Sequence, residues 1–513
     1  MKKTGITGYM KTINRIDGDK KERAYNILLF FIIALGALIR AAVIGDHRLH
    51  GDEALYAFWA VDIAKNTGFI LSAPFALYKP PVFLYLAALS YSFFPIKEVF
   101  SMLPNIIAGI FSIYLVFKTA EKIFDKETAF AAALIFALSP VNILFSATAF
   151  MDTLMVMFAL WAAYFLIEKR YMTAGLMFGL ALGTKQFAVF FIPFYLYLIF
   201  YAPGTHNIRR MAARGLQGFG IGFLFPLIWG AANSLSMKKP VYYFLNVWFG
   251  SGDRPEVFRA AVSFSDIISR AGEWIYIYNM IFVFKWISIV FLIFIAAALI
   301  RFKKKYLGLA AAAAVVFAAT TVSQMPIFDR YVVTFAPVII LLCAASLAAV
   351  LKINTNVRLI SVLLAILILF LALPVRKGIF KYQLVNQSGQ TLGASYSVND
   401  GVDQIARYIL LDHGKTACVA FHPDFSWTMD YYLYGAPEGY CWYYYSDIDA
   451  ASKGFRDTSG GRINFIMFYA DNNMIEEFEP YLSKYGMNYH KEYSVFNRFG
   501  KENIILYRIN PGK

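Results

Sequence analysis

Charge is what this chain has least of. Only 16% of its 513 residues are Asp, Glu, Lys or Arg, where ordinary soluble domains carry roughly a quarter. Hydrophobic residues make up 59%, with 49 Phe and 34 Tyr. A single soluble core does not need that excess; a chain that crosses a membrane several times does. Acids are scarcer than bases, 33 against 48, for a formal charge of +15. Much of that positive charge lies in short runs between apolar spans, an orientation signal, and nothing in it calls for nucleic acid. Cysteine is nearly absent. Of three, Cys343 lies within an apolar span and reads as a small hydrophobe, and no CxxC or other metal-type spacing occurs. Cys418 and Cys441 lie in the polar C-terminal part, where an oxidising compartment would permit a disulfide and equally permit two thiols. Internal repeats are also lacking, which argues against a transporter built from duplicated halves.

What the chain does have is a series of apolar segments. Residues 1–24 form a basic polar lead, and Tyr25–Ile44 is about the length a bilayer requires. The long lead and the many later spans favour an uncleaved first helix over a signal peptide. Further segments cover approximately 103–118, 128–147, 153–167, 171–183, 187–202, 215–232, 279–300, 306–323, 331–351 and 357–374. About eleven spans follow, some short enough to need tilt or partial re-entry. The predicted fold is therefore a polytopic helical membrane domain over 25–374. A linker over 375–395 and a small extracytoplasmic α/β domain over 396–513 complete it. In that last part, strands are predicted near 417–421, 440–445, 463–469 and 504–508, and helices near 402–411 and 474–484.

Pro81–Pro95 is apolar too, and counting it as a span would reverse everything after it. Left out, it allows Lys118, Lys122, Lys126, Lys169, Arg170, Arg209, Arg210, Arg214, Arg301 and Lys303–Lys305 to share the N-terminal, cytoplasmic side, as basic loops prefer. This segment is accordingly read as an interfacial helix or partial span, in a multi-pass protein of the plasma membrane. The same parity puts Asp52, Lys79, Asp152, Lys185 and Arg330 together on the outer side. The loop from Asn233 to Tyr278 also falls outside, as a substrate-gating or acceptor-binding loop or equally as a purely structural one.

Charges beside apolar spans are costly, so each needs a reason. Asp52 and Glu53 follow the first span, and a carboxylate there can act as a base, bind a cation or be solvated. Tyr56 lies one helical turn on from Asp52. His47 and His50 form a lone HxxH, weak as a metal signal. Lys79 precedes Pro80-Pro81, which set the chain direction; the plainer reading is a lysine reaching for lipid headgroups. Asp152 stands at the head of a helix, where it would serve equally as an N-cap for a helix starting at Thr153 or as a reactive acid. Lys185 breaks the positive-inside preference, and an anionic partner such as phosphate would account for it. Asp329 and Arg330 open the tenth span, with a local ion pair as the plainer reading. Two acids and several cations on one face suit transfer from a lipid-linked phosphate.

The motifs DEALYA, LYKPPVFLYLAAL, SMLPNIIAGIFSIYL, LSP, Asp152, GLALGTK and DRYVV occur in an order that resembles a known group. It is that of C-type membrane glycosyltransferases of the protein O-mannosyltransferase and aminoarabinose lipid A transferase type. The resemblance spans roughly residues 25–350. It implies a polyprenyl-phosphate sugar donor, an extracytoplasmic active site, inversion at the anomeric carbon and an extracytoplasmic acceptor (protein, lipid or glycan) of unknown identity. Carried over by position, Asp52 and Asp152 are the active-site acids, with Glu53 as a helper. Lys79 and Lys185 are donor-phosphate ligands, and Tyr56, Tyr78, Arg330 and Tyr331 line the same pocket. The sequence demands no particular cofactor; a divalent metal is an option, with His50 as candidate ligand. Departures occur at Met102, where the family often has Arg, and at Tyr78 and Leu55, where the aminoarabinose branch has an acid and an Arg. These count against an aminoarabinose donor and a metal held there. An oligosaccharide-transferring enzyme of the same superfamily and a lipid or sugar transporter are the competing functions.

Overall fold

The computed structural model describes residues 4–44, 48–65, 79–201, 207–236, 263–282, 285–323, 327–351, 384–385, 391–392, 400–412, 418–421, 425–434, 441–444, 463–472, 475–484, 486–497 and 500–511. Helix α1 (Thr4–Val43) is followed by α2 (Gly51–Lys65), α3 (Pro81–Phe93), α4 (Glu98–Ile123), α5 (Lys126–Leu138), α6 (Pro140–Ser146), α7 (Asp152–Ile167), α8 (Tyr171–Thr184), α9 (Ile192–Tyr201) and α10 (Ile208–Ser236). Then come α11 (Phe264–Tyr278), α12 (Lys285–Val322) and α13 (Val332–Leu351).

Among the described residues, four helical stretches are long and apolar enough to cross a membrane: Glu22–Val43, Glu98–Ile123, Ile208–Ala232 and Asp329–Ala349. The pair α5 and α6 makes a fifth if counted as one span, bent by 57°. Each of the first ten predicted segments is helical, and the eleventh, 357–374, lies outside the described residues, as does most of the loop after Asn233. The protein is an integral, multi-pass membrane protein. α3 has 13 residues, about 20 Å of helix, well short of the ~30 Å hydrocarbon layer. Helical hydrogen bonding runs through the basic stretch at 301–305, since Lys and Arg are good helix formers. The apolar stretches on either side of it, Ile287–Ile300 and Tyr306–Val322, correspond to the two predicted segments, and Phe291 and Val316 line one cavity.

The bend between α5 and α6 has a local cause. Pro140 has no N–H and stands first in α6, so carbonyls at the end of α5 lose their helical donors. Arg40, fully buried in α1, supplies one: its Nη1 donates to the Ala137 carbonyl at 3.3 Å and its Nε to Ser146 Oγ at 3.0 Å. In lipid, backbone groups freed by a break must be satisfied inside the protein.

The C-terminal part holds β1 (Leu384–Val385) and β2 (Thr391–Leu392), then α14 (Val402–Asp412), β3 (Cys418–Phe421), α15 (Ser426–Tyr432), β4 (Cys441–Tyr444), β5 (Ile463–Tyr469), α16 (Ile475–Lys484), β6 (Met487–Phe496) and β7 (Glu502–Pro511). The larger sheet has the order β4-β3-β5-β7-β6, parallel on the β4 side and antiparallel on the β7 side. All six predicted elements are present; β6 and α15 were not anticipated, nor was the antiparallel pair β1–β2, which lies in the stretch read as a linker. Cys418 and Cys441 are register partners on neighbouring parallel strands. α15 is the element that matters for the site, because it docks on α2. Trp427 meets Trp59 at 6.4 Å between ring centres, Tyr434 meets Phe58 at 5.9 Å, and the Tyr431 and Tyr91 hydroxyls are 3.1 Å apart.

Candidate active site

The site gathers where α2, α7, the α8–α9 junction and the turn before α13 meet. α2 begins in a well-capped turn. Glu53 Oε2 accepts the His50 N–H at 3.0 Å, and His50 Nδ1 accepts the Asp52 N–H at 3.3 Å. This reciprocal capping satisfies donors that a helix start leaves over. It also gives His50 a backbone role, where the sequence offered it as a metal ligand. Among the described residues, no group of three or more His, Cys, Asp or Glu side chains is arranged to hold a metal ion. His47 and Tyr78 lie outside the described residues.

Two acids stand in two ion pairs. Asp52 Oδ2 receives Arg330 Nη1 at 2.9 Å. Asp152 Oδ1 receives Lys185 Nζ at 2.6 Å, with the Asp152 side chain only 1% exposed. Asp152 is the first residue of α7, preceded by Met151 with no side-chain cap, so the predicted N-capping role is not the one it performs. Its Oδ2 is buried with no hydrogen-bond partner among the described residues. Nor does Arg330 serve only its neighbour: the Asp329 carboxylate accepts the Arg330 backbone N–H, while the guanidinium reaches Asp52. Burial pushes the Asp52 carboxyl up, but Arg330, Lys79 and His50 together outweigh it and hold it below the usual range.

Aromatic rings frame the cations. Lys185 Nζ lies 4.8 Å from the ring centres of both Phe187 and Tyr331. The Arg330 guanidinium lies 4.7 Å from Phe150 and 4.8 Å from Phe328. Lys79 Nζ lies 5.9 Å from the Tyr56 ring, just ahead of Pro80 and Pro81, which start α3. Such contacts steady a cation without neutralising it. From Phe187 the rings continue to Phe190 at 5.4 Å and on to Phe335 at 5.5 Å. Both of these line an apolar cavity of about 330 Å³, together with Phe194, Tyr278, Phe291 and Val316. A row of aromatic rings thus connects the charged region to the apolar cavity.

Glu53 is placed differently from the other acids. It is fully buried, and its Oε1 accepts the Ala149 N–H at 2.6 Å. Asn105 went unnoticed in the sequence. Its Nδ2 donates to the carbonyls of Thr148, at 2.8 Å, and Phe150, while its Oδ1 accepts the Leu154 N–H at 3.0 Å. Both residues hold the non-helical strap 147–151 that leads into Asp152. The one signal available was a polar residue following Pro104 inside an apolar span.

Residues 78–229 match the family described as dolichyl-phosphate-mannose-protein mannosyltransferase. Comparison with curated proteins finds no match. Among solved structures, the chain is similar to ArnT from Cupriavidus metallidurans in the apo state, with a TM-score of 0.65 and 13% identity, covering 94% of this chain and 98% of that one. The same protein bound to undecaprenyl phosphate gives 0.64 and 12%, over 93% and 97%. AglB, the oligosaccharyltransferase of Archaeoglobus fulgidus, in complex with an inhibitory peptide and a dolichol-phosphate, gives 0.54 and 12%, over 96% of this chain and 75% of that one. At such identities the structures speak for the fold alone. A family signature over residues 78–229, on a fold shared with ArnT along nearly the whole chain, bears out the resemblance to C-type membrane glycosyltransferases of the protein O-mannosyltransferase and aminoarabinose transferase type.

Proposed function

We propose that the protein transfers a sugar from a polyprenyl-phosphate donor to an acceptor on the outer side of the membrane. The observation that carries this reading is the junction of two acid–cation pairs with an apolar cavity through Phe187, Phe190 and Phe335. A phosphate on a long hydrocarbon tail is the ligand class with both halves of that chemistry. The ArnT structure bound to undecaprenyl phosphate, and the family match, support the same donor class.

In this mechanism Lys79, Lys185 and Arg330 neutralise the donor phosphate and stabilise it as it leaves. Asp52, kept ionised by Arg330, takes the proton from the acceptor hydroxyl or amine. The acceptor atom bonds to the anomeric carbon as the carbon–oxygen bond to phosphate breaks, which inverts that carbon. The phosphate retains the bonding electrons and Asp52 the proton, so the step balances with no further reactant. Asp152, with one oxygen on Lys185 and one buried without a partner among the described residues, holds that lysine and offers a second acceptor for a substrate hydroxyl. Tyr56 and Tyr331 flank the pocket. The charges sit at helix ends and not at mid-membrane, which favours surface chemistry over transport.

Purified protein given a polyprenyl-phosphate sugar and an envelope extract as acceptor source should release polyprenyl phosphate. Asp52→Asn should lower that rate by about 10²–10⁴-fold while the protein still folds. Lys79→Ala and Lys185→Ala should each weaken donor binding. Near-parental turnover by Asp52→Asn, or parental donor binding by both lysine variants, sinks the reading. Mass spectrometry of surface glycans and glycoproteins from cells lacking the protein would identify the acceptor.

A further inference from the structure

We infer that Asn105 is a positioning residue for the reaction: through the strap 147–151 it sets where the Asp152 carboxylate stands. The inference rests on the transfer reading above. The chain leaves helix at Ala147 and resumes it at Asp152, amid residues that are all buried. Irregular backbone at such a place has carbonyls and N–H groups that neither water nor a helix ladder satisfies. Asn105, itself fully buried, answers three of them with one planar group. Two donors go to the Thr148 and Phe150 carbonyls, and one acceptor goes to the Leu154 N–H.

These three partners bracket Asp152 on both sides. Phe150 is two residues before it and Leu154 two after, so a fixed carboxamide fixes the carbon frame that carries the carboxylate. Other contacts hold the strap's start: Glu53 takes the Ala149 N–H, and the Thr148 and Thr153 hydroxyls both donate to the Phe145 carbonyl at 2.9 Å. Asn105 spans directly from the strap into the first turn of α7.

The chemistry explains why asparagine is needed. Leucine has the shape but takes away all three of these bonds. Aspartate keeps the acceptor but turns an oxygen towards two carbonyl oxygens and adds a charge near Asp152. Serine is too short to bridge both sides. Asn105 touches neither Lys79 nor Arg330, so those two cations should still capture the donor, while Asp152 and the Lys185 it holds should lose the alignment that sets the rate. A misplacement of about 1 Å costs on the order of 10²-fold.

The test is Asn105→Leu, with Asn105→Ser as a milder partner, each also made with Asp152→Asn. Amide hydrogen exchange is read by mass spectrometry in detergent on the full chain. Exchange over 148–154 should rise about tenfold or more, with the later turns of α7 unchanged. Turnover of a polyprenyl-phosphate sugar should fall about 10–100-fold, with donor KM within about threefold. In the Asp152→Asn background, the Asn105 variants should cost nothing more, because the group they misplace is already disabled. Unchanged exchange in both variants overturns the inference, as does a loss that multiplies with that of Asp152→Asn. A parent that turns over no polyprenyl-phosphate sugar overturns the transfer reading instead, and the exchange result still judges Asn105.

Discussion

Asp152 and Lys185 form an ion pair in which the acid is almost wholly shielded. Removing one partner leaves the other charge buried and unmatched, which costs about 3–5 kcal/mol, whereas removing both is close to neutral. Lys185→Met should therefore lower the denaturation midpoint in detergent sharply, and Asp152→Asn with Lys185→Met should regain most of it. The double variant should still be inactive. Equal stability of single and double variants would show that the pair is not coupled as described.

Arg330 invites a pH argument. Asp52 is held below its usual range chiefly because Arg330 and Lys79 outweigh the opposing effect of burial. A base must be ionised to accept a proton, so activity fades as pH falls through its pKa. Arg330→Gln removes the main lowering influence, so the acid limb of the pH–rate profile should move to higher pH, with donor KM raised as well. An acid limb that stays in place would mean that another group controls it.

At the scale of elements, α8 and α10 meet backbone to backbone. A Cβ on Gly218 would land on the carbonyl oxygen of Met172, whereas one on Gly220 would meet nothing within 4 Å. Gly218→Ala should force the helices apart and cost about 1–3 kcal/mol, with Gly220→Ala as the neutral control on the same helix. The effect should reach the site, because Lys185 follows directly on α8. Thermal unfolding and turnover, measured together, check both parts. Equal behaviour of the two alanine variants would refute the close-approach argument.

For the whole molecule, the C-terminal sheet is tied to the helix that bears Asp52. Besides the aromatic contacts of α15 on α2, Tyr432 donates to Glu98. Arg48 joins Glu98, at 3.2 Å, to Asp403, at 3.5 Å. Asp430 lies in α15, one turn from Trp427, and burial pushes its carboxyl up to about 6. In that state the folded protein holds the proton more tightly than the unfolded chain does. Stability should thus decline as pH rises from about 4 to about 6, then level off. Asp430→Asn should flatten that decline and give the more stable protein at pH 7. Unfolding midpoints taken across this range decide it, and an unaltered slope would count against the assignment.

Read in order, the residues alone determined that this is a multi-pass helical membrane protein with a small C-terminal α/β part. Composition, span length and basic runs are local properties, and they survive without knowledge of what packs where. They also singled out Asp52, Asp152, Lys79, Lys185 and Arg330, because charges beside apolar spans are rare enough to be noticed. Partnership was another matter. Arg330 and Asp52 are 278 positions apart, so sequence offered Asp329 as the nearer match. The bond from the Ala149 N–H to Glu53, the three bonds of Asn105 and the docking of α15 on α2 were equally invisible. Each joins segments far apart in the chain, and only the tertiary structure decides which segments meet.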